Sequence, residues 1–166
     1  MRTLPSLVLL LSLACAREAP PQRTTPAQKY AGTWEGQSRT EGSDSAISWT
    51  SQITAATDST ITGTLAFNGV AMSPIEVRTI QLSDSMIIFE MGPYQSPTSK
   101  TEVITRSEGR VSGDSLWGTF VTLPTKGGDV FPGMSVAQWH NAEMSPKPGS
   151  EPIRGTFSGS RKHQTP

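Results

Sequence analysis

Large rings and glycines share one face in two segments at opposite ends of the sequence. Alternate residues of a strand point the same way. On that count Tyr30, Gly32, Trp34 and Gly36 fall together in the first segment, and Ile153, Gly155, Phe157, Gly159 and Arg161 in the last. Glycine inside a strand marks a bend or the close approach of another backbone, and a sheet that closes on itself needs both. Pairing these two segments closes everything between them into one barrel. Arg161 falls on the apolar face, where an unpaired charge is costly. If the strands pair antiparallel, Trp34 lies near the end that holds Arg161, and a guanidinium over the indole forms a cation–π contact worth roughly 0.5–2 kcal/mol. The alternative sets Arg161 beyond the strand end, in water.

The interval supports closure. Short β-favourable runs are broken by turn residues, and no stretch of about 10–15 residues carries helical spacing. The reading is an all-β domain over 30–162, an antiparallel up-and-down barrel of about eight strands. The runs are 30–39, 46–56, 59–68, 70–82, 85–91, 98–106, 110–123 and 153–162. Ile61, Gly63, Leu65 and Phe67 alternate cleanly with Thr60, Thr62 and Thr64, and Ile47, Trp49, Ile53 and Ala55 share a face. In the seventh run Val111, Gly113, Trp117, Val121 and Leu123 fall on one face, Leu116 and Phe120 on the other. Pro74 makes the fourth run an edge, a bulge or a late starter.

Alternate connections of such a barrel fall at alternate ends. Thr57-Asp58-Ser59, Ser83-Asp84-Ser85 and Ser107-Glu108-Gly109 are tight polar turn signals. The other connections are 41–45, Asn68-Gly69, 92–97 and 124–152, so one end is shut and the other elaborated. Loops beyond about 12–15 residues are uncommon unless functional or disordered. The segment 124–152 carries Val130, Phe131, Met134, Val136, Trp139 and Met144, too apolar for a disordered linker. A short helix over 135–143 and hinges at Gly127, Gly128 and Gly133 suit a lid over the mouth. The alternative is a flap on the outer wall.

Ahead of the domain, Arg2 precedes an apolar run from Leu4 to Leu13. It is too short to span a bilayer, which takes about 20 residues, and reads as a signal peptide over 1–14. Cys15 is the one cysteine, so no internal disulfide exists for it to join. Leu11-Ser12-Leu13-Ala14-Cys15 resembles the lipobox of bacterial lipoproteins, with Ser12 in place of the usual leucine. The resemblance implies a lipid on Cys15 and anchorage in the cell envelope, and Ala16 points to the outer membrane. Ordinary cleavage near Ala14 or Ala16 is the alternative. The stretch 15–29 reads as a proline-rich tether extending about 3.1 Å per residue, and 163–166 as a frayed tail.

Gly32-Thr33-Trp34 at the start of the first strand, with Arg161 in the closing one, resembles the Gly-x-Trp signature of lipocalins and the wider calycin group. Avidins share a similar start, and Ile61-Thr62-Gly63-Thr64-Leu65 is similar to their second hairpin, but the aromatic set that grips biotin is not seen. The lipocalin resemblance implies structural roles for Gly32, Trp34 and Arg161 and a barrel that binds a small apolar or amphipathic ligand. The candidate ligand-facing residues are Trp49, Phe67, Trp117, Phe131 and Trp139. The competing reading is a structural or interaction lipoprotein whose barrel is filled by its own rings.

Other chemistries find little support. Lysine plus arginine and aspartate plus glutamate both number 14, with no basic stripe for nucleic acid. Gly-x-Ser-x-Gly, Walker A, paired Cys-x-x-Cys and His-Glu-x-x-His are all lacking, so neither enzyme activity nor a cofactor is expected. Asp129, His140 and Glu143 form a loose metal trio, and Glu90 with Glu102 a loose acid/base pair; both read better as solvated residues. Met86, Met91, Met134 and Met144 read as core filler before a promiscuous apolar site.

Overall fold

The computed structural model describes residues 24–126 and 130–163. The signal peptide, Cys15, the tether as far as residue 23, Gly127, Gly128, Asp129 and residues 164–166 lie outside the described residues. The strands are β1 (Gly32–Thr40), β2 (Ala46–Thr57), β3 (Thr60–Phe67), β4 (Ile75–Leu82), β5 (Ile87–Gln95), β6 (Glu102–Ser112), β7 (Ser115–Pro124) and β8 (Ile153–Arg161). Each pairs antiparallel with its chain neighbours, and β8 returns to β1, so the sheet is an all-β, up-and-down, closed eight-stranded barrel. It is compatible with a lipocalin-like fold. No helix among the described residues is long and apolar enough to cross a membrane.

Two connections differ from the sequence reading. Ser107 and Gly109 sit within β6, paired with Phe120 and Gly118 of β7. The turn is Gly113-Asp114, with Gly113 at φ +56°, a backbone that glycine adopts at no steric cost. Segment 92–97 is also no single loop, because β5 continues through a bulge at 92–93 to Gln95. Pro74 is explained by a late start, since β4 begins at Ile75.

A further difference lies at the base. The expected tether ends earlier, because Pro26–Tyr30 forms a helix, α1. Thr25 caps it in a reciprocal box with Gln28, and Pro26 occupies the first turn, where its missing N–H costs nothing. Ala27 and Tyr30 are buried. The Ala27 N–H donates to Asp58 O at 3.2 Å, and Lys29 Nζ lies 3.0 Å from Asp84, so α1 is fixed to two of the tight turns and shuts that end.

Arg161 locks the closure. It stands opposite Trp34 across the β1–β8 seam, with its guanidinium carbon 4.3 Å from the indole centroid. It donates to the carbonyls of Lys29, at 2.7 Å, and Ala31, and Nε donates to Asp114 at 3.1 Å. Trp34 Nε1 donates to Tyr30 O at 2.8 Å. The charge-assisted bonds from Arg161 to the two carbonyls contribute about 1.5–3 kcal/mol each. The glycine of the Gly-x-Trp pattern follows from this packing. Gly32 holds φ +130°, and a Cβ there would sit 2.9 Å from Arg161 Nη1.

Candidate functional site

The inward residues of every strand leave a cavity of about 220 Å³. It runs from Tyr30 at the base to the loops 41–45 and 96–101 at the other end. Its lower wall is apolar, built by Ile61, Val77, Ile87, Leu116 and Phe157; Ser38, Thr40, Ser43, Ser45, Ser96 and Thr98 line the upper part. Among the described residues, no aspartate, glutamate, lysine, arginine or histidine lines it.

The rings are held by packing. Trp49 meets Phe157 edge-on at 6.5 Å between centroids, and Phe157 meets Phe89 at 5.9 Å. Such pairs add about 0.5–1.5 kcal/mol beyond burial. Gly36 makes room for the indole, because a Cβ there would sit 2.4 Å from Trp49 Cζ2.

The polar groups of the cavity divide into two sets. Tyr94 OH bonds Thr105 Oγ1 at 2.7 Å, and Thr105 bonds Thr122 at 2.7 Å. Ser51 Oγ donates to Thr64 O at 2.9 Å. By contrast the Tyr30 hydroxyl and Trp49 Nε1 are buried without a hydrogen-bond partner among the described residues. Burial pushes the Tyr30 phenol above its ordinary range, against an opposing pull from the Arg110 charge. Burial also raises Tyr94, with the bonds from Thr105 and Thr122 opposing.

Of the aromatic candidates, Trp49 and Phe67 line the cavity. Trp117 does not. It is 43% exposed on the outer face of β7, because Val111 pairs with Leu116 across the Gly113-Asp114 turn. A two-residue turn shifts the inward count by one, which puts Leu116, Phe120 and Thr122 inside. Phe131 is 49% exposed and Trp139 is buried elsewhere, so neither reaches the cavity. Tyr30, Phe89 and Phe120 line it although they were not singled out for ligand contact. For Tyr30 the signal was its place on the Trp34 face.

The segment expected as a lid lies on the outer wall instead. Its helix α2 (Val136–Met144) starts at the N-cap Ser135. Met134 and Trp139 pack against Ile104 and Leu123, which face outward from β6 and β7. Beneath them Glu90 is fully buried, and Arg106 is nearly so. Arg106 Nη2 donates to Glu90 Oε2 at 2.7 Å and to Met134 O at 2.6 Å, and Nη1 donates to Ser135 O at 3.3 Å. The Gly133 N–H donates to Glu90 Oε1 at 3.0 Å, and the guanidinium lies 4.6 Å from the Trp139 ring centroid. The flap thus covers an apolar wall and its buried ion pair rather than the mouth.

Two weaker candidates separate in the same way. Glu90 faces Arg106, while Glu102 accepts from Thr125 Oγ1 at 2.5 Å, so the carboxylates share no site. Glu143 is engaged by Arg154, and His140 is exposed. Of the methionines Met91 lines the cavity, Met134 is buried under the flap, and Met144 is exposed. Compared with models of protein families, with curated proteins and with solved structures, the chain finds no match, and its site is read from its own geometry.

Proposed function

We propose that the barrel holds a small, largely apolar ligand and that a lipid on Cys15 ties the chain to the cell envelope. The cavity of about 220 Å³ carries the first half of this reading. For comparison, an apolar cavity of about 150 Å³ accommodates benzene. Apolar lower walls under a hydroxyl-lined upper part suit an amphipathic occupant. Binding is favoured over catalysis because, among the described residues, the cavity presents hydroxyls but no carboxylate, imidazole or amine to move a proton.

The second half rests on the apolar run from Leu4 to Leu13 and on Cys15 after Ala14. The chain enters the barrel through α1 at the shut end, so a membrane tether at Cys15 would leave the mouth facing away from the bilayer. Ala16 favours the outer membrane. Native mass spectrometry of the chain purified from the cells that make it tests the binding half. A co-purifying small-molecule mass is expected. A clean unliganded mass, together with no saturable uptake of an environment-sensitive apolar dye, favours the filled, structural barrel. Cys15→Ser should abolish incorporation of labelled fatty acid, and equal labelling of both forms ends the lipoprotein reading.

A further inference from the structure

One large ring stands in the open on a wall that is otherwise polar. Trp117 is 43% exposed on the outer face of β7. Its same-face neighbours along the strand are Ser115 and Thr119, and across the ladders they are Arg110 of β6 and Ser158 of β8. Ser158 in turn stands opposite Gln37 of β1, so Arg110, Trp117, Ser158 and Gln37 form one exposed row across four strands. An open hollow lies on each side of that row. One, of about 570 Å³, reaches Arg39 and Glu108; the other, of about 380 Å³, reaches Glu35 and Ser160. Trp117, Gln37 and Ser158 border both. An apolar cavity of about 150 Å³ accommodates benzene, so each hollow has room for a six-membered ring.

The composition of the wall selects the occupant. The core of a protein interface is apolar and poor in serine, whereas the four same-face neighbours of Trp117 are all polar. A polyanion is held by a block of free cations. Here Arg110 Nη2 lies 3.7 Å from Glu108 Oε1, Lys162 Nζ lies 2.6 Å from Glu35 Oε1, and Arg39 Nη1 donates to Asp44 O at 2.7 Å. An indole set among hydroxyls, an amide and paired charges complements a neutral molecule with a flat C–H face and a polar edge. A sugar ring has both. Its C–H bonds, positive at hydrogen, rest on the negative face of the π-system, and its edge hydroxyls both donate to and accept from serine, threonine and glutamine side chains.

We propose that the outer face of β6, β7, β8 and β1 binds a neutral oligosaccharide, with one sugar ring stacked on Trp117 and the adjoining sugars in the two hollows. The site is separate from the barrel cavity, and its test does not depend on what that cavity holds.

The probes are cellotetraose, maltotetraose and the tetramer of N-acetylglucosamine, each titrated into the full chain. At least one should move the Trp117 indole N–H resonance saturably and leave that of the buried Trp34 still. Its affinity, measured by calorimetry, should fall about tenfold or more in Trp117→Ala, as for the truncation of an aromatic anchor. In Gln37→Ala it should fall about fivefold, the worth of one hydrogen bond. Trp117→Phe keeps a ring and should fall between the two. These side chains are exposed, so the variants should keep the thermal midpoint of the wild type. No saturable Trp117 shift with any of the three probes, or undiminished affinity in Trp117→Ala, overturns the proposal. Heparin bound more tightly than every neutral probe overturns it in favour of an anionic ligand. A Trp117 signal that moves with protein concentration and not with sugar assigns the face to a second copy of the chain, and overturns it as well.

Discussion

Under the flap, a buried carboxylate and a buried guanidinium meet each other, two carbonyls and a backbone N–H. Inside the barrel, a phenol and an indole N–H are buried as deeply and have no hydrogen-bond partner among the described residues. Charge is the more expensive group to bury, yet it is the charged region that is nearly complete, with Arg106 Nε alone unpaired among its described side-chain atoms. The two regions serve different ends. The outer wall uses its polar groups to hold one segment of the chain in one place. The barrel encloses a cavity of about 220 Å³ that the protein's own atoms do not fill.

The largest effect that separates the regions is expected at Glu90. Glu90→Ala leaves Arg106 buried without its counter-ion and should cost about 3–5 kcal/mol, read as a shift in denaturant midpoint at constant slope. A loss below about 1 kcal/mol, ordinary for a surface change, would mean that the flap does not bury the pair in solution, and the contrast between the regions would collapse.

A smaller effect tests the contrast within the cavity. Tyr94→Phe removes a hydroxyl bonded to Thr105 at 2.7 Å and should cost about 1 kcal/mol. Tyr30→Phe removes a hydroxyl with no hydrogen-bond partner among the described residues. In the ligand-free protein it should leave stability unchanged or raise it by up to about 1 kcal/mol. Equal losses at the two positions would show that the Tyr30 hydroxyl is satisfied after all.

The smallest effect is spectroscopic. The chain has two tyrosines, and both phenols are held above their ordinary value of 10.0 by burial. Each therefore contributes stability that is present below that value and is lost as pH rises through the raised, folded-state pKa. Phenolate absorbance should lag behind that of free tyrosine, while the unfolding free energy falls as pH climbs above 10.0. An absorbance curve matching free tyrosine would place both rings in water.

The legible and illegible parts of the fold divide along a physical line. Trp34, Phe157 and Arg161 were readable because each face was counted within one strand, where the alternation is fixed by the backbone. Trp117 was misplaced because the count was carried across a turn, and moving the turn from Ser107-Glu108-Gly109 to Gly113-Asp114 reverses every side chain after it. Helix α1 was hidden by proline and threonine, which read as tether; the spacing of Thr25, Pro26 and Gln28 was the capping signal available. The destination of the flap was beyond pattern reading. Ile104, Leu123, Glu90 and Arg106 become one patch only once the register of β5, β6 and β7 is set. The two unpaired donors were illegible for the same reason, since a missing partner shows only in three dimensions.

The most direct measurement is nuclear magnetic resonance of the indole N–H groups during titration with acetophenone and, separately, with α-methylstyrene. The chain has four tryptophans, so four indole signals are expected, with Trp49 assigned by its loss in Trp49→Phe. Both neutral probes should shift the Trp49 signal saturably, because Trp49 lines the cavity. The exposed Trp117 should stay still with both. The absence of any saturable Trp49 shift, or shifts confined to Trp117 or Trp139, would contradict the assignment of the cavity as a site for a small, largely apolar ligand.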